Sequence, residues 1–249
     1  QVQGYLTTVF EEQLGRLYAA GTRERCNLLK YYGFAPSVAP HVRAAVQRLT
    51  GAPADGPTLS LPGGVEVPNL CLFYEEHLAR LLPLADRSAY LAFVHGDLNG
   101  ANIVIDAHDN VWLIDFFHTH RGHVLRDLIK LENDLLFIFT PVPDEAALAE
   151  GLRITDALIG ATDITAPLPA ADAVGLAVPA MARAWETLRI LRSFYPALVR
   201  EDGDPLQVLI GKLRYAAHNL SFDESDGRQK VWALYTAARC AEAIRRCLA

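Results

Sequence analysis

Apolar residues recur at helical spacing from the first turns of the chain. Leu6, Val9, Phe10, Leu14 and Leu17 fall along one face of a segment covering residues 5–32. Within it, Thr22 reads as the cap of a second helix continuing through Leu29. Residues 41–49 predict another short helix, and the Gly-, Pro- and Ala-rich stretch 51–57 a loop. The period then shortens. Residues 59–61 and 65–67 alternate apolar and polar side chains around Pro62-Gly63-Gly64, which predicts a small hairpin. Asn69 stands just before Leu70, Tyr74, Leu78 and Leu81, the pattern of a capped helix that Pro83 ends.

Three short apolar runs follow, at 92–94, 103–105 and 111–114, with a polar turn at 107–110 between the last two. They predict strands. Beyond Val124 the pattern is helical again, with helices expected at 124–139, 144–159, 180–195, 205–220 and 228–248. Pro141, Pro143, Pro167, Pro169, Pro179 and Pro196 punctuate them. Arg245 and Arg246 suit the last helix's C-terminal end, where the backbone dipole favours cations. The expected fold class is mainly α with a small β element (α+β). It divides into a helical segment with a hairpin (1–90), a β element whose loops carry polar residues (91–127) and a helical subdomain (128–249).

Composition narrows the function classes. Half of the 249 residues are hydrophobic, so the chain buries a core. A net charge of −6 with interspersed signs argues against a broad nucleic-acid surface. No apolar stretch is long enough to span a bilayer, and no signal peptide is expected. Cys26, Cys71, Cys240 and Cys247 show no CxxC pairing and are expected as small buried hydrophobes in a reducing cytoplasm. The chain begins with Gln1 rather than Met, and is expected to be a fragment, a processed product or a trimmed chain.

The chemistry concentrates in one stretch. An apolar run delivers His95-Gly96-Asp97-Leu98, Asn102 follows Asp97 by five residues, and a second apolar run delivers Ile114-Asp115-Phe116. This set resembles the catalytic and metal-binding loops of the protein-kinase-like superfamily, in the His-Gly-Asp form of aminoglycoside and choline phosphotransferases. The resemblance implies a kinase-like C-terminal lobe. Asp97 would take the catalytic-base position, His95 would brace the loop, and Asn102 and Asp115 would be the cofactor-binding residues that ligate Mg2+. The cofactors implied are Mg2+ and ATP or another NTP. Asp127, at the start of the next helix, matches a structural brace of the catalytic loop. His118, Arg121, His123 and Arg126 lie close by in sequence and are candidates for contacts with substrate or an anion. Arg121 and Arg126 read equally well as surface ion pairs. His118, His120 and His123, with His95, Asp97 and Asp115, also permit a transition-metal site.

The front of the chain departs from the family. About ninety residues precede His95, and they contain neither a strand–glycine-loop–strand pattern nor a lysine other than Lys30. The nucleotide-gripping N-lobe is therefore expected to be absent. The Arg-Gly-His-Val-Leu-Arg-Asp run at 121–127 also looks like that of the ternary-complex-associated kinase-like domains of multidomain bacterial conflict and signalling proteins. Two functions stay open: an ATP- and Mg2+-dependent phosphotransferase lobe acting on a small-molecule hydroxyl, completed by an N-lobe or partner domain of the parent protein, or a non-catalytic binding and signalling module. Either binds a small-molecule or nucleotide ligand in the cytoplasm, and neither needs nucleic acid or a membrane. Trp185, Tyr195, Tyr215 and Trp232 read as core aromatics or as pocket walls.

Overall fold

Residues 22–27 do not continue the first helical segment. In a computed structural model, which describes residues 1–248, they form the first of seven strands. In chain order these are β1 (Thr22–Asn27), β2 (Thr58–Ser60), β3 (Glu66–Pro68), β4 (Asp86–Val94), β5 (Ile103–Ile105), β6 (Val111–Leu113) and β7 (His120–His123). The expected helix from Thr22 is thus corrected to a strand. Asn27 marks where it stops: its backbone is extended, and its side chain accepts from the Lys30 N–H at 3.0 Å, capping the short helix Leu28–Tyr31. β1 lies antiparallel on β4, and β4 on β7, in the order β1-β4-β7. Its charged residues are matched across the strands, Arg25 to Asp86 at 3.0 Å and Glu24 to Arg121. Those pairs exist only in the extended form.

The β2–β3 hairpin forms as expected, with cross-strand partners Leu59 and Val67 buried. Asn69 caps the following helix by accepting from the Cys71 N–H at 2.9 Å. β5 and β6 form the second hairpin, in the register Ile103↔Leu113, Val104↔Trp112 and Ile105↔Val111.

The C-terminal part consists mainly of long helices: Arg126–Asp134, Glu145–Gly160, Pro179–Ser193, Leu206–Asn219 and Gly227–Leu248. Each begins and ends near its expected bounds except the first, where the helical pattern to Phe139 continues as a wider turn, Leu135–Phe139. Trp185, Tyr195 and Trp232 are fully buried core, whereas Tyr215 reaches a cavity described below. Cys71 and Cys240 are buried and Cys26 half-buried, but Cys247 is exposed, against expectation, because it sits on the outer face of the last turn. Among the described residues no helix is long and apolar enough to cross a membrane.

One buried charge cluster fixes how three of these helices meet. The Glu132 carboxylate accepts from Lys212 Nζ at 2.9 Å, from Arg192 Nη2 at 3.0 Å and from the Tyr195 hydroxyl at 2.6 Å, with no solvent exposure. Burial alone would raise its pKa, but Arg192 and Lys212 outweigh it and hold the carboxyl well below the ordinary carboxylate range. Removing the anion strands two buried cations. Glu132→Ala is therefore expected to cost about 3–5 kcal/mol in urea unfolding, and Glu132→Gln to lose most of that too. A loss under 1 kcal/mol for both would show that the cluster is not what locks these helices.

Candidate functional site

β4 carries the chain through the core to Val94, and the next two residues turn sharply. Gly96 has φ of 90°, and a Cβ there would run into the carbonyl oxygen of His118. Only glycine fits this position. The turn is fixed from outside by Asp127, which is wholly buried in the first turn of helix Arg126–Asp134. Its Oδ2 accepts from the His95 N–H at 2.8 Å and from the Tyr18 hydroxyl at 2.9 Å, and its Oδ1 from the Gly96 N–H at 2.9 Å. Burial raises the Asp127 pKa, and these three donors work against that rise. Arg126 adds a further tie, donating Nε–H to the Gly96 carbonyl at 2.8 Å.

His95 links this turn to the next loop. Its Nε2–H donates to the Ile114 carbonyl at 2.9 Å, and its ring packs 4.7 Å from that of Phe116. The Asn99 side chain accepts from the Asn102 N–H at 3.1 Å, and Asn102 Nδ2 donates to the Asp97 carbonyl at 2.9 Å. The β5–β6 register continues one step outward, where the Ile114 N–H donates to the Asn102 carbonyl at 3.1 Å. Asn102 therefore lies across from Ile114, next to Asp115. Asp115 itself has φ 62° and ψ 56°, a left-handed conformation that costs a non-glycine residue free energy and is characteristic of functional loops. Its side chain is exposed and accepts no hydrogen bond among the described residues.

The Asn102–Ile114 pairing sets Asn102 beside the residue that precedes Asp115, and Asn102 Nδ2 ties it to the Asp97 carbonyl. Hard oxygen donors suit Mg2+, which takes few protein ligands and fills its octahedron with water and phosphate oxygens. Asn102, whose amide N–H is already used by Asp97, presents its Oδ1 for such a role, and Asp115 its free carboxylate. Among the described residues no group of three or more His, Cys, Asp or Glu side chains stands close enough to hold a metal. The histidine-based transition-metal alternative is therefore set aside.

The other sequence candidates scatter. His118 is exposed beside Gly96, and its carbonyl accepts from His120 Nδ1–H at 2.8 Å. His120, Arg121 and His123 belong to β7, a strand that the sequence did not announce. Arg121 is taken by Glu24 and Thr22 on β1, so it is an ion pair and not a ligand contact. His123 is also withdrawn from the ligand-facing set. It is fully buried, accepting from the Tyr32 hydroxyl at 2.9 Å and donating to Gln207 Oε1 at 3.2 Å. Of this group Arg126 alone is among the residues that line the main cavity. That cavity measures about 640 Å³, and Asp97 lines it as well. Lys130, Asn133, Arg214 and Tyr215 also line it. Lys130, Asn133 and Arg214 were not picked out from the sequence, although Arg126, Lys130 and Asn133 recur at helical spacing and so share one face.

A family model described as ternary complex associated domain 9 matches residues 54–221. The chain belongs to this family. The matched segment contains Asp97, Asn102, Asp115, Asp127, Arg126 and Tyr215, and leaves Tyr18, Tyr31 and Tyr32 outside. No curated protein and no solved structure matches the chain.

Two consequences of the local packing of this ternary complex associated domain can be measured. Gly96→Ala combines an unfavourable φ with a backbone clash, and is expected to lower stability by at least about 2 kcal/mol. Amide exchange at His95 and Gly96 should rise with it, and unchanged exchange would contradict the role given to this glycine. Burial pushes His123 down to about 4 from 6.5, with Arg126 adding to the effect and Gln207 opposing it. Below pH 6.5 the unfolded chain takes up a proton that folded His123 refuses. That part of the stability is present above pH 6.5 and is lost as pH falls toward 4, at about 1.4 kcal/mol per unit. Denaturation curves of His123→Gln should be flatter than wild type across that window.

Proposed function

We propose that this domain is the catalytic half of a kinase-like phosphotransferase acting on a small-molecule hydroxyl. The observation that carries the reading is the junction of the two loops. The Asn102–Ile114 backbone pairing and the His95–Ile114 bond join the loop that carries Asp97 and Asn102 to the loop that carries Asp115, and Asp97 lines the cavity. Asp97 orients the acceptor hydroxyl and takes its proton. It is half-buried, and its Oδ2 has only the distant Asn99 Nδ2 at 3.4 Å, which leaves the carboxylate able to accept. His95 and Asp127 are positioning residues, holding the backbone on either side of Gly96. Asn102 and Asp115 would hold Mg2+, which when bound neutralises charge on the phosphates of ATP or another NTP.

The nucleotide-gripping half would come from a neighbouring or partner domain. Support comes from an apolar surface beside the site. Val104 and Trp112 are cross-strand partners exposed by 41% and 57%, Ile114 and Phe116 follow at 46% and 47%, and Phe117 is 87% exposed. Apolar surface of this kind marks an interaction site. The family's description as ternary complex associated agrees with a module that works beside partner domains. It also favours a second reading, a non-catalytic kinase-like binding module that uses the same surfaces.

Nucleotide titration of the full natural polypeptide tests the proposal. Calorimetry is expected to show Mg2+-dependent ATP binding that weakens at least tenfold in Asp115→Ala. Asp97→Asn should keep that binding and lose phosphoryl transfer by about 10²–10⁴-fold. Unchanged nucleotide affinity in Asp115→Ala would overturn the phosphotransferase reading. Transfer abolished by neither variant would do the same.

A further inference from the structure

The cavity beside Asp97 has the size of a site for a small metabolite, about 640 Å³ against the 300–1,000 Å³ usual for such ligands. Its cations are unevenly used. Lys130 is neutralised by Asp134, which it meets at 2.8 Å. Arg126 and Arg214 are half-buried, and neither has a carboxylate within 4.0 Å among the described residues. Arg126 spends Nε on the Gly96 carbonyl, and its guanidinium carbon lies 5.5 Å and 5.9 Å from the ring centres of Tyr31 and Tyr32. Half-buried guanidinium groups without a counter-anion are costly to the fold alone. Arg presents a planar fork that matches carboxylate and phosphate.

Two further atoms in the cavity wall are unsatisfied. The Tyr215 hydroxyl and Asn133 Oδ1 are closed to solvent and have no hydrogen-bond partner, in side chains that are 9% and 7% exposed. Each such atom costs about 1–3 kcal/mol when left unpaired. Tyr215 also lies beneath Lys130, whose Nζ is 5.9 Å from its ring centre. Its hydroxyl can donate to an anion, and the Asn133 oxygen can accept from a hydroxyl. The cavity is lined by three carboxylates, Asp97, Asp134 and Glu224, as well as three cations, but of these only Lys130 and Asp134 form an ion pair among the described residues, so both arginines keep their forks free of carboxylates.

We propose that the cavity binds a small hydroxylated anion, a hydroxy-carboxylate or a phosphate ester, with Arg126 and Arg214 on its charged group and its hydroxyl toward Asp97. The orientation toward Asp97 rests on the phosphotransferase reading, while the charge preference rests on the cavity alone. Contact with the Tyr215 hydroxyl and Asn133 Oδ1 requires side chains of the wall to move on binding, because both atoms are closed to solvent. The acceptor substrate is thus an anion rather than a cation or a neutral polyol.

The test uses matched probes on the 249-residue chain, without nucleotide and with Mg2+ chelated. Glycerol 3-phosphate, glycerate and glycerol carry similar hydroxyls and differ in charge. NMR titration is expected to show saturable binding of at least one of the two anions, at least tenfold tighter than glycerol. Preference between the two anions assigns the charged group as phosphate or carboxylate. Arg214→Gln is expected to weaken anion binding at least tenfold, and Tyr215→Phe, which preserves the packing, several-fold. Arg48→Gln, an exposed change of the same charge elsewhere, should have no effect. Equal affinity for glycerol and the anions, no binding of any probe, or full affinity in Arg214→Gln would overturn the proposal. Because no nucleotide is present, anion binding that survives alongside unchanged nucleotide affinity in Asp115→Ala would remove the phosphotransferase reading and leave the anion site standing.

Discussion

The carboxylate of Asp127 is the constraint on which the site geometry depends. It takes two consecutive backbone N–H groups, those of His95 and Gly96, and the Tyr18 hydroxyl, in a position with no solvent. Consecutive N–H groups can converge on one carboxylate only if the backbone between them is sharply turned. Gly96 provides that turn at φ 90°. Hydrogen bonds to a charged acceptor contribute about 1.5–3 kcal/mol each, and here they offset only part of the cost of burial, since the Asp127 pKa stays above its ordinary value. Everything downstream inherits the placement: Asp97 follows Gly96 directly, and His95 carries the constraint to Ile114 and hence to Asp115.

The helix that supplies Asp127 has three distinct duties on three faces. Asp127 holds the loop, Glu132 ties the helix to Arg192, Lys212 and Tyr195, and Arg126, Lys130 and Asn133 form one wall of the cavity. The buried Glu132 cluster is better understood as fixing rotation than as adding stability, since burying charges costs nearly what their attraction returns. An apolar contact would permit the helix to slide or turn. A carboxylate with three fixed donors does not, and a small rotation would carry Asp127 away from the two N–H groups that it holds.

Much of this was legible in the sequence. The hairpin around Gly63-Gly64, the Asn69 cap, β5, β6 and the C-terminal helices follow from periodicity and turn chemistry. The pairing of β5 with β6 fits the same signals, since the two apolar runs and the turn between them have hairpin lengths. β1 and β7 were not legible for a shared reason. Thr-Arg-Glu-Arg-Cys-Asn and His-Arg-Gly-His carry little alternating apolar signal, and their strand form is decided by partners about sixty residues apart or more: Arg25 with Asp86, and Glu24 with Arg121. Tertiary pairing overrode local propensity there. The same strand took His123 out of the ligand-facing set, since alternation along β7 turns it into the core. Tyr215 was ambiguous because a buried aromatic at helical spacing looks identical whether its hydroxyl ends in packing or at a cavity.

Two departures from ordinary folding economy stand out, one on the β5–β6 hairpin and the loop after it and one in the cavity wall. In the first, β6 and the loop after it leave Trp112, Ile114, Phe116 and Phe117 in solvent and hold Asp115 in a strained left-handed conformation. In the second, the cavity wall leaves two guanidinium groups without carboxylates and two buried polar atoms without partners. Neither serves the stability of the isolated chain. A sequence selected for folding alone would replace them with polar side chains on the hairpin and apolar ones in the cavity wall, each a gain of the kind that single substitutions commonly deliver. Their joint presence agrees with the proposed reading, in which an apolar partner covers the hairpin and a small anion fills the cavity that Asp97 lines.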